Sequence, residues 1–119
     1  METKEMTQTV ISWNDRNALV QPAGNVVAAL VPELRTALRG ALANGVLEMT
    51  IDFSSVEMVD STGLGLLISA HNSISKAGGR LAVIHASKEI LELFRSMRIH
   101  QHFSVSCNGT VSPGEAEAQ

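Results

Sequence analysis

One stretch of the chain gathers the residue types that can do chemistry: Val56-Glu57-Met58-Val59-Asp60-Ser61-Thr62-Gly63-Leu64-Gly65. A carboxylate, two hydroxyls and two glycines fall within six consecutive positions. Three catalytic readings of these residues fail on spacing. An aspartic-protease tripeptide sets Asp one hydroxyl residue before Gly, whereas here Ser61 and Thr62 separate Asp60 from Gly63. A nucleophile elbow needs Gly two residues before the Ser, and residue 59 is Val. A dinucleotide fingerprint needs a third glycine, and Gly63-Leu64-Gly65 runs on into Leu66-Leu67-Ile68. Two readings remain. In the first, Ser61 or Asp60 is an ordinary helix N-cap accepting bonds from the orphan amides, and the glycines serve close packing. In the second, the hydroxyl of Ser61 is a modification site. A phosphate there would sit at the positive end of a helix dipole, where anions are stabilised by roughly 0.3–1 kcal/mol. It would leave the helix intact and change the charge and bulk of a surface, and so act on a partner. Two glycines in a first helical turn cost about 1 kcal/mol each relative to Ala, and they leave the backbone approachable from outside.

Elsewhere the chemistry is sparse. His100-Gln101-His102 sets two imidazoles on one side of an extended segment, with Cys107 near in sequence, but no Asp, Glu or Cys completes a metal-ligand spacing. His71 falls on the inner stripe of a helix and reads as a hydrogen-bonded, partly buried side chain. Arg95 and Arg98 with His100 form a modest basic patch, read as solvated charge. Cys107 is the single cysteine, which excludes a disulfide framework. Aromatic residues are 3% of 119, and the net charge is −3, so neither a stacking platform nor a phosphate-backbone footprint for nucleic acid is present. Hydrophobic residues at 45% and charged residues at 18% give a globular composition, in a length suited to one domain. The N-terminus lacks the apolar stretch of a signal peptide, and the apolar run Gly63–Ala70 is far below the ~20 residues of a membrane span. A soluble, cytoplasmic protein without membrane insertion is expected.

The elements that must position the Asp60–Gly65 turn follow from periodicity. Two strands are expected near Gln8–Trp13 and Ala18–Ala23, joined by Asn14-Asp15-Arg16-Asn17. Pro32 suits the first turn of a helix with Val31, Leu34, Leu38, Ala41 and Leu42 inward, stopped by Asn44-Gly45. Leu47–Phe53 alternates strictly and predicts a strand with one wet face. Leu64, Leu67, Ile68, His71 and Ile74 mark a second helix closed by Gly78-Gly79. Arg80–His85 reads as a strand, and Ser87 caps a third helix with Ile90, Leu91, Leu93, Phe94 and Met97 inward. His102–Val105 adds a short last strand. Strands alternating with helices after an opening pair imply an α/β fold: a mixed, largely parallel sheet with the helices mainly on one face. Met1–Met6 and Cys107–Gln119 read as polar ends.

Val59-Asp60-Ser61-Thr62-Gly63-Leu64-Gly65 after the strand ending Ile51-Asp52-Phe53 resembles the signature of the STAS domain, and more closely that of the bacterial anti-sigma factor antagonists. The likeness continues through Lys76-Ala77-Gly78-Gly79-Arg80-Leu81 and Leu93-Phe94-Arg95-Ser96-Met97, with Gly24 and Pro32-Glu33-Leu34 upstream. It covers a domain of residues 8–106, leaving 1–7 and 107–119 as flexible termini. The resemblance implies a small β/α sandwich with four to five strands, and Ser61 as a phosphorylation site. It implies partner switching: the unphosphorylated protein binds an anti-sigma factor that is also a serine kinase, releasing a sigma factor. Phosphorylation by the kinase separates the complex, and a serine phosphatase resets it. The protein itself is then a phosphoprotein of transcription regulation, not an enzyme, with no catalytic residue, metal or cofactor. Its partner-binding surface would comprise Asp60, Ser61, Thr62, Gly63, Leu64 and Gly65, with Met58, Val59, Leu64 and Leu66 as apolar candidates. Two positions depart from the pattern: Val27 stands where the family has an acidic residue, and Leu30 where a Ser or Thr precedes the first helix. A stand-alone STAS subunit of a phospholipid-transport ABC ATPase complex is the alternative that the resemblance leaves open.

Overall fold

The computed structural model describes residues 9–99 and 103–107. In chain order the elements are β1 (Val10–Asn14), β2 (Asn17–Gln21), α1 (Val31–Ala43), β3 (Glu48–Asp52), α2 (Ser61–Lys76), β4 (Arg80–Ile84), α3 (Lys88–Ser96) and β5 (Ser104–Val105). The sheet order is β1-β2-β3-β4-β5. The opening hairpin is antiparallel and the remaining three pairings are parallel. This is the mixed five-stranded α/β arrangement expected from the alternation of elements.

Register explains why the chain chose these strands. Ile11, Val20, Ile51, Val83 and Val105 lie in one row across all five strands, and Trp13, Ala18, Met49 and Leu81 form the next row on that face. Successive strand residues point to opposite faces, so the row between them, Ser12-Leu19-Thr50-Ala82-Ser104, belongs to the other side. The first face is the core. A single buried cluster joins Val20, Ile51 and Val83 to Leu34 and Leu38 of α1, Leu67 and Ile74 of α2, and Ile90 and Phe94 of α3. β3 alternates as its sequence requires, with Met49 and Ile51 buried and Glu48 exposed. β4 is buried on both faces, since Ala82 and Ile84 are covered as well and lie outside that cluster.

The protein's three phenylalanines pack as a chain at one end of this core. The rings of Phe53 and Phe94 meet edge to face at 6.4 Å, those of Phe94 and Phe103 at 6.3 Å, and His71 tilts against Phe103 at 5.9 Å. The end of β3, the body of α3 and the approach to β5 are thereby tied together. His71 is half-buried, as its place on the helix stripe implies.

Several boundaries differ from the sequence reading. The hairpin connection is only Asp15-Arg16, because Asn14 and Asn17 are already paired. Asp15 has φ +62°, the left-handed value that the first central residue of a type II′ turn takes. Pro22 falls just after β2 ends at Gln21, where its missing N–H costs no ladder bond. Leu93 and Met97, expected inward, are 39% and 48% exposed. α3 ends at Ser96, so Met97 is already its C-cap and off the helical stripe, and Leu93 lies on the flank of the Ile90–Phe94 line. Ile68 on α2 and Leu42 on α1 are only partly buried for the same geometric reason. Of the short last strand the described part is Ser104–Val105; His102 lies outside the described residues.

Phe94 is fully buried at the centre of the aromatic chain. Phe94→Ala is expected to cost about 3–5 kcal/mol, read as a fall in the urea midpoint with unchanged m-value.

Candidate functional site

The Asp60–Gly65 turn is built where two chain segments meet at the carboxyl ends of β2 and β3. Residues 22–30 leave β2 and residues 53–60 leave β3, and they zip together before either reaches its helix. Val26 and Val59 form a parallel bridge, with Val26 N–H donating to Met58 O at 3.0 Å and Asp60 N–H to Val26 O at 3.2 Å. Asn25 extends this pairing with its side chain: its Oδ1 accepts from the N–H of Glu57 at 2.7 Å and of Met58 at 3.1 Å. Val26 is fully buried beneath.

Asp60 is the N-cap of α2, with extended backbone, and Ser61 is the first helical residue. The two capping alternatives are thus resolved in favour of Asp60. Its Oδ1 accepts from Gly63 N–H at 2.8 Å, and its Oδ2 accepts from Ala28 N–H at 3.0 Å. One carboxylate therefore closes the helix end and pins the segment that leads from β2 to α1. Bonds from the backbone of Gly63 first, then Ala28, hold its pKa below the ordinary carboxylate value. A second lowered carboxyl, Asp52, stands nearby at the end of β3. Burial opposes its ionisation, but the hydroxyl and N–H of Ser54 and the amide of Gln21 outweigh that.

The two glycines of the turn have different reasons. A Cβ at Gly63 would lie 2.0 Å from Val26 O and 2.8 Å from Val26 C, so only hydrogen fits between the helix and the crossing strand. A Cβ at Gly65 would meet nothing within 4 Å, and Gly65 is exposed. Packing within the chain accounts for the first and leaves the second unaccounted for.

Of the turn's residues, Ser61, Thr62 and Gly65 are exposed, Asp60 is half-buried, and Gly63 and Leu64 are buried. Among the apolar candidates, Met58 is 56% exposed, whereas Leu64 and Leu66 belong to the core and Val59 packs against it. Val27 is half-buried and its carbonyl accepts from the N–H of Leu30 at 2.8 Å and Val31 at 3.1 Å. Leu30 is the N-cap of α1 and supplies no side-chain cap, as its departure from Ser or Thr implies. Arg95, Arg98 and Cys107 are exposed; His100, Gln101 and His102 lie outside the described residues. Sequence reasoning missed Asn25, whose signal was an amide-bearing residue just after Gly24, and Ala28, which acts through its backbone and leaves no signal.

Gly63→Ala is expected to destabilise the fold by at least about 1–3 kcal/mol, while Gly65→Ala stabilises it by up to about 1 kcal/mol through helix propensity; paired thermal melts check both. Because the carboxyl pKa of Asp60 is lower in the folded state, its contribution is present above the unfolded value near 3.8 and lost as pH falls through the folded one. Acid titration should therefore show a component of stability lost below about pH 4 that Asp60→Asn abolishes.

A family model described as "Mlab, STAS domain" matches residues 9–106. An anti-sigma-B factor antagonist of Bacillus subtilis (strain 168) is 29% identical over 84 residues, covering 71% of this chain and 76% of the relative. A crystal structure of a putative anti-sigma factor antagonist from Thermotoga maritima superposes with a TM-score of 0.77 at 18% identity, over 92% of each chain. The Bacillus cell fate determinant SpoIIAA in its phosphorylated form superposes with a TM-score of 0.67 at 15% identity, over 93% of this chain and 99% of that one. The same fold recurs in transporter proteins. With a model match running from Thr9 to Ser106 and the Asp-Ser-Thr-Gly-Leu-Gly turn at its centre, the chain belongs to the STAS domain family.

Proposed function

We propose that the protein is an anti-sigma factor antagonist that works by partner switching, with Ser61 as the phosphorylated residue. The observation that carries this reading is the division of labour at the turn. Asp60 is committed to holding the backbone, while the adjacent Ser61 is exposed at the first position of a 16-residue helix. In the unphosphorylated protein, Ser61, Thr62, Gly65 and Met58 form the outward part of a docking surface, and Gly63 and Leu64 set its shape from beneath. The partner is an anti-sigma factor that is also a serine kinase, and the docked state releases a sigma factor. Transfer joins Ser61 Oγ to the γ-phosphorus of ATP, expels ADP, and passes the hydroxyl proton to a base of the kinase. The added phosphate meets a helix N-terminus whose first turn has no acidic residue, next to the Asp60 carboxylate that caps it and is neutralised in part by the N–H groups of Gly63 and Ala28. Its charge is tolerated by the fold and disfavoured in a packed interface. A serine phosphatase reverses the change. The protein contributes no catalysis of its own, and the similarity to the anti-sigma-B factor antagonist supports this regulatory role.

Affinity capture from the host's lysate with wild type and Ser61→Asp in parallel tests this reading. A serine kinase retained by wild type and not by Ser61→Asp supports it. A transport ATPase retained equally by both would assign the chain to lipid transport, with Ser61 no more than a helix residue. On the recovered kinase, calorimetry should show Ser61→Asp weakening binding more than tenfold while the protein's thermal midpoint stays nearly unchanged; equal affinity for the two forms would sink the proposal.

A further inference from the structure

β1 ends the sheet, and its outer edge has no strand partner among the described residues. Proteins ordinarily blunt such an edge with a charge, a proline, a bulge or a very short strand. Val10-Ile11-Ser12-Trp13-Asn14 uses none of these devices: it is uncharged, contains no proline, and pairs with β2 at all five positions without a bulge. Val10 is 51% exposed, and Trp13, the only tryptophan, is 42% exposed. Beside this edge, a shallow depression of about 350 Å³ lies over β1 to β3, with Ser12, Leu19 and Thr50 of the face away from the helices among its lining residues.

The hairpin decides which backbone groups this edge offers. With a two-residue turn, Asn14 and Asn17 are the closing hydrogen-bonded pair. Alternation then turns the N–H and C=O of Ser12 and Val10 toward β2 as well, and those of Ile11 and Trp13 outward. We propose that this edge is the interface of a two-fold homodimer, in which β1 pairs antiparallel with β1 of a second copy about an axis at Ser12. In that register Ile11 of each copy stands opposite Trp13 of the other, and both outward-facing residues exchange their backbone bonds in full. The two side chains share the helix-covered face, Ile11 in the row of Val20 and Ile51, Trp13 in the row of Ala18 and Met49. Pairing therefore continues the apolar layer across the axis and places an aromatic against a β-branched residue twice, a favourable cross-strand combination.

A second copy is the occupant that fits because the edge is complementary to itself. No charge on β1 meets its own image at the axis. The charged tip at Asp15 falls opposite Thr9, not opposite another Asp15. The interface uses no residue of the Asp60–Gly65 turn, so it stands or falls separately from partner switching there.

Sedimentation equilibrium on the full chain from roughly 10 µM to 1 mM tests the proposal, with the emission of Trp13 followed over the same range. The expected result is a concentration-dependent dimer whose Trp13 emission shifts to the blue as it forms. Ser12 is exposed on the face away from the helices. Ser12→Lys sets two ammonium groups across the axis and should give a monomer at every concentration with unchanged melting. Trp13→Ala should weaken the dimer at least tenfold. Mixing Ser12→Lys with Ser12→Glu should restore a dimer containing one of each. A wild type that stays monomeric throughout, or a dimer that survives both Ser12→Lys and Trp13→Ala, would overturn the proposal.

Discussion

The carboxylate of Asp60 joins two parts of the chain that would otherwise reach this place independently. It accepts from Gly63 on its own helix and from Ala28, which lies 32 residues earlier. A helix N-terminus offers amides that need an acceptor, and a strand end offers another. A side chain with two oxygens in a fixed fork serves both. The neighbouring bonds, between Val26 and Met58 and between Asn25 and the amides of Glu57 and Met58, extend the same seam. With the seam in place, Gly63 lies hard against the Val26 carbonyl, and α2 starts in one position and direction.

What holds the seam over the sheet is ordinary packing. β2 and β3 are adjacent and parallel, so their carboxyl ends deliver residues 22–30 and 53–60 to the same edge. Beneath, the Phe53–Phe94–Phe103 chain closes the end of the core, and the α2 stripe of Leu67, Ala70 and Ile74 seats the helix on the sheet. The exposed row of Ser61, Thr62 and Gly65 is thereby a surface carried on a rigid foundation.

Much of this was legible in the chain itself. The alternation of Glu48–Asp52 and the helical recurrence of Val31, Leu34 and Leu38 are period signals that burial enforces, and both elements stand where those signals put them. The N-cap was narrowed only to Asp60 or Ser61, because both residue types cap well; the choice depends on Ala28, whose contribution is a backbone N–H that no sequence displays. Met97 was misplaced because an apolar residue at the end of a short amphipathic helix satisfies the pattern whether or not the helix continues far enough to bury it, and Leu93 because it flanks the Ile90–Phe94 line. Gly63 and Gly65 look alike in sequence. Their difference is a distance to Val26, which exists only once two remote segments have met.

The contact between Gly63 and the Val26 carbonyl also bears on kinetics. Backbone lies against backbone there, with no side chain to swing aside, so the start of α2 cannot slide without parting the seam from β2. Any molecule gripping the turn pulls on the sheet as well as on the helix. A covalent change at the exposed hydroxyl has no loop to unfold and no hinge to trip. Under the proposed partner switching, its effect is felt at the surface and asks no rearrangement of this chain.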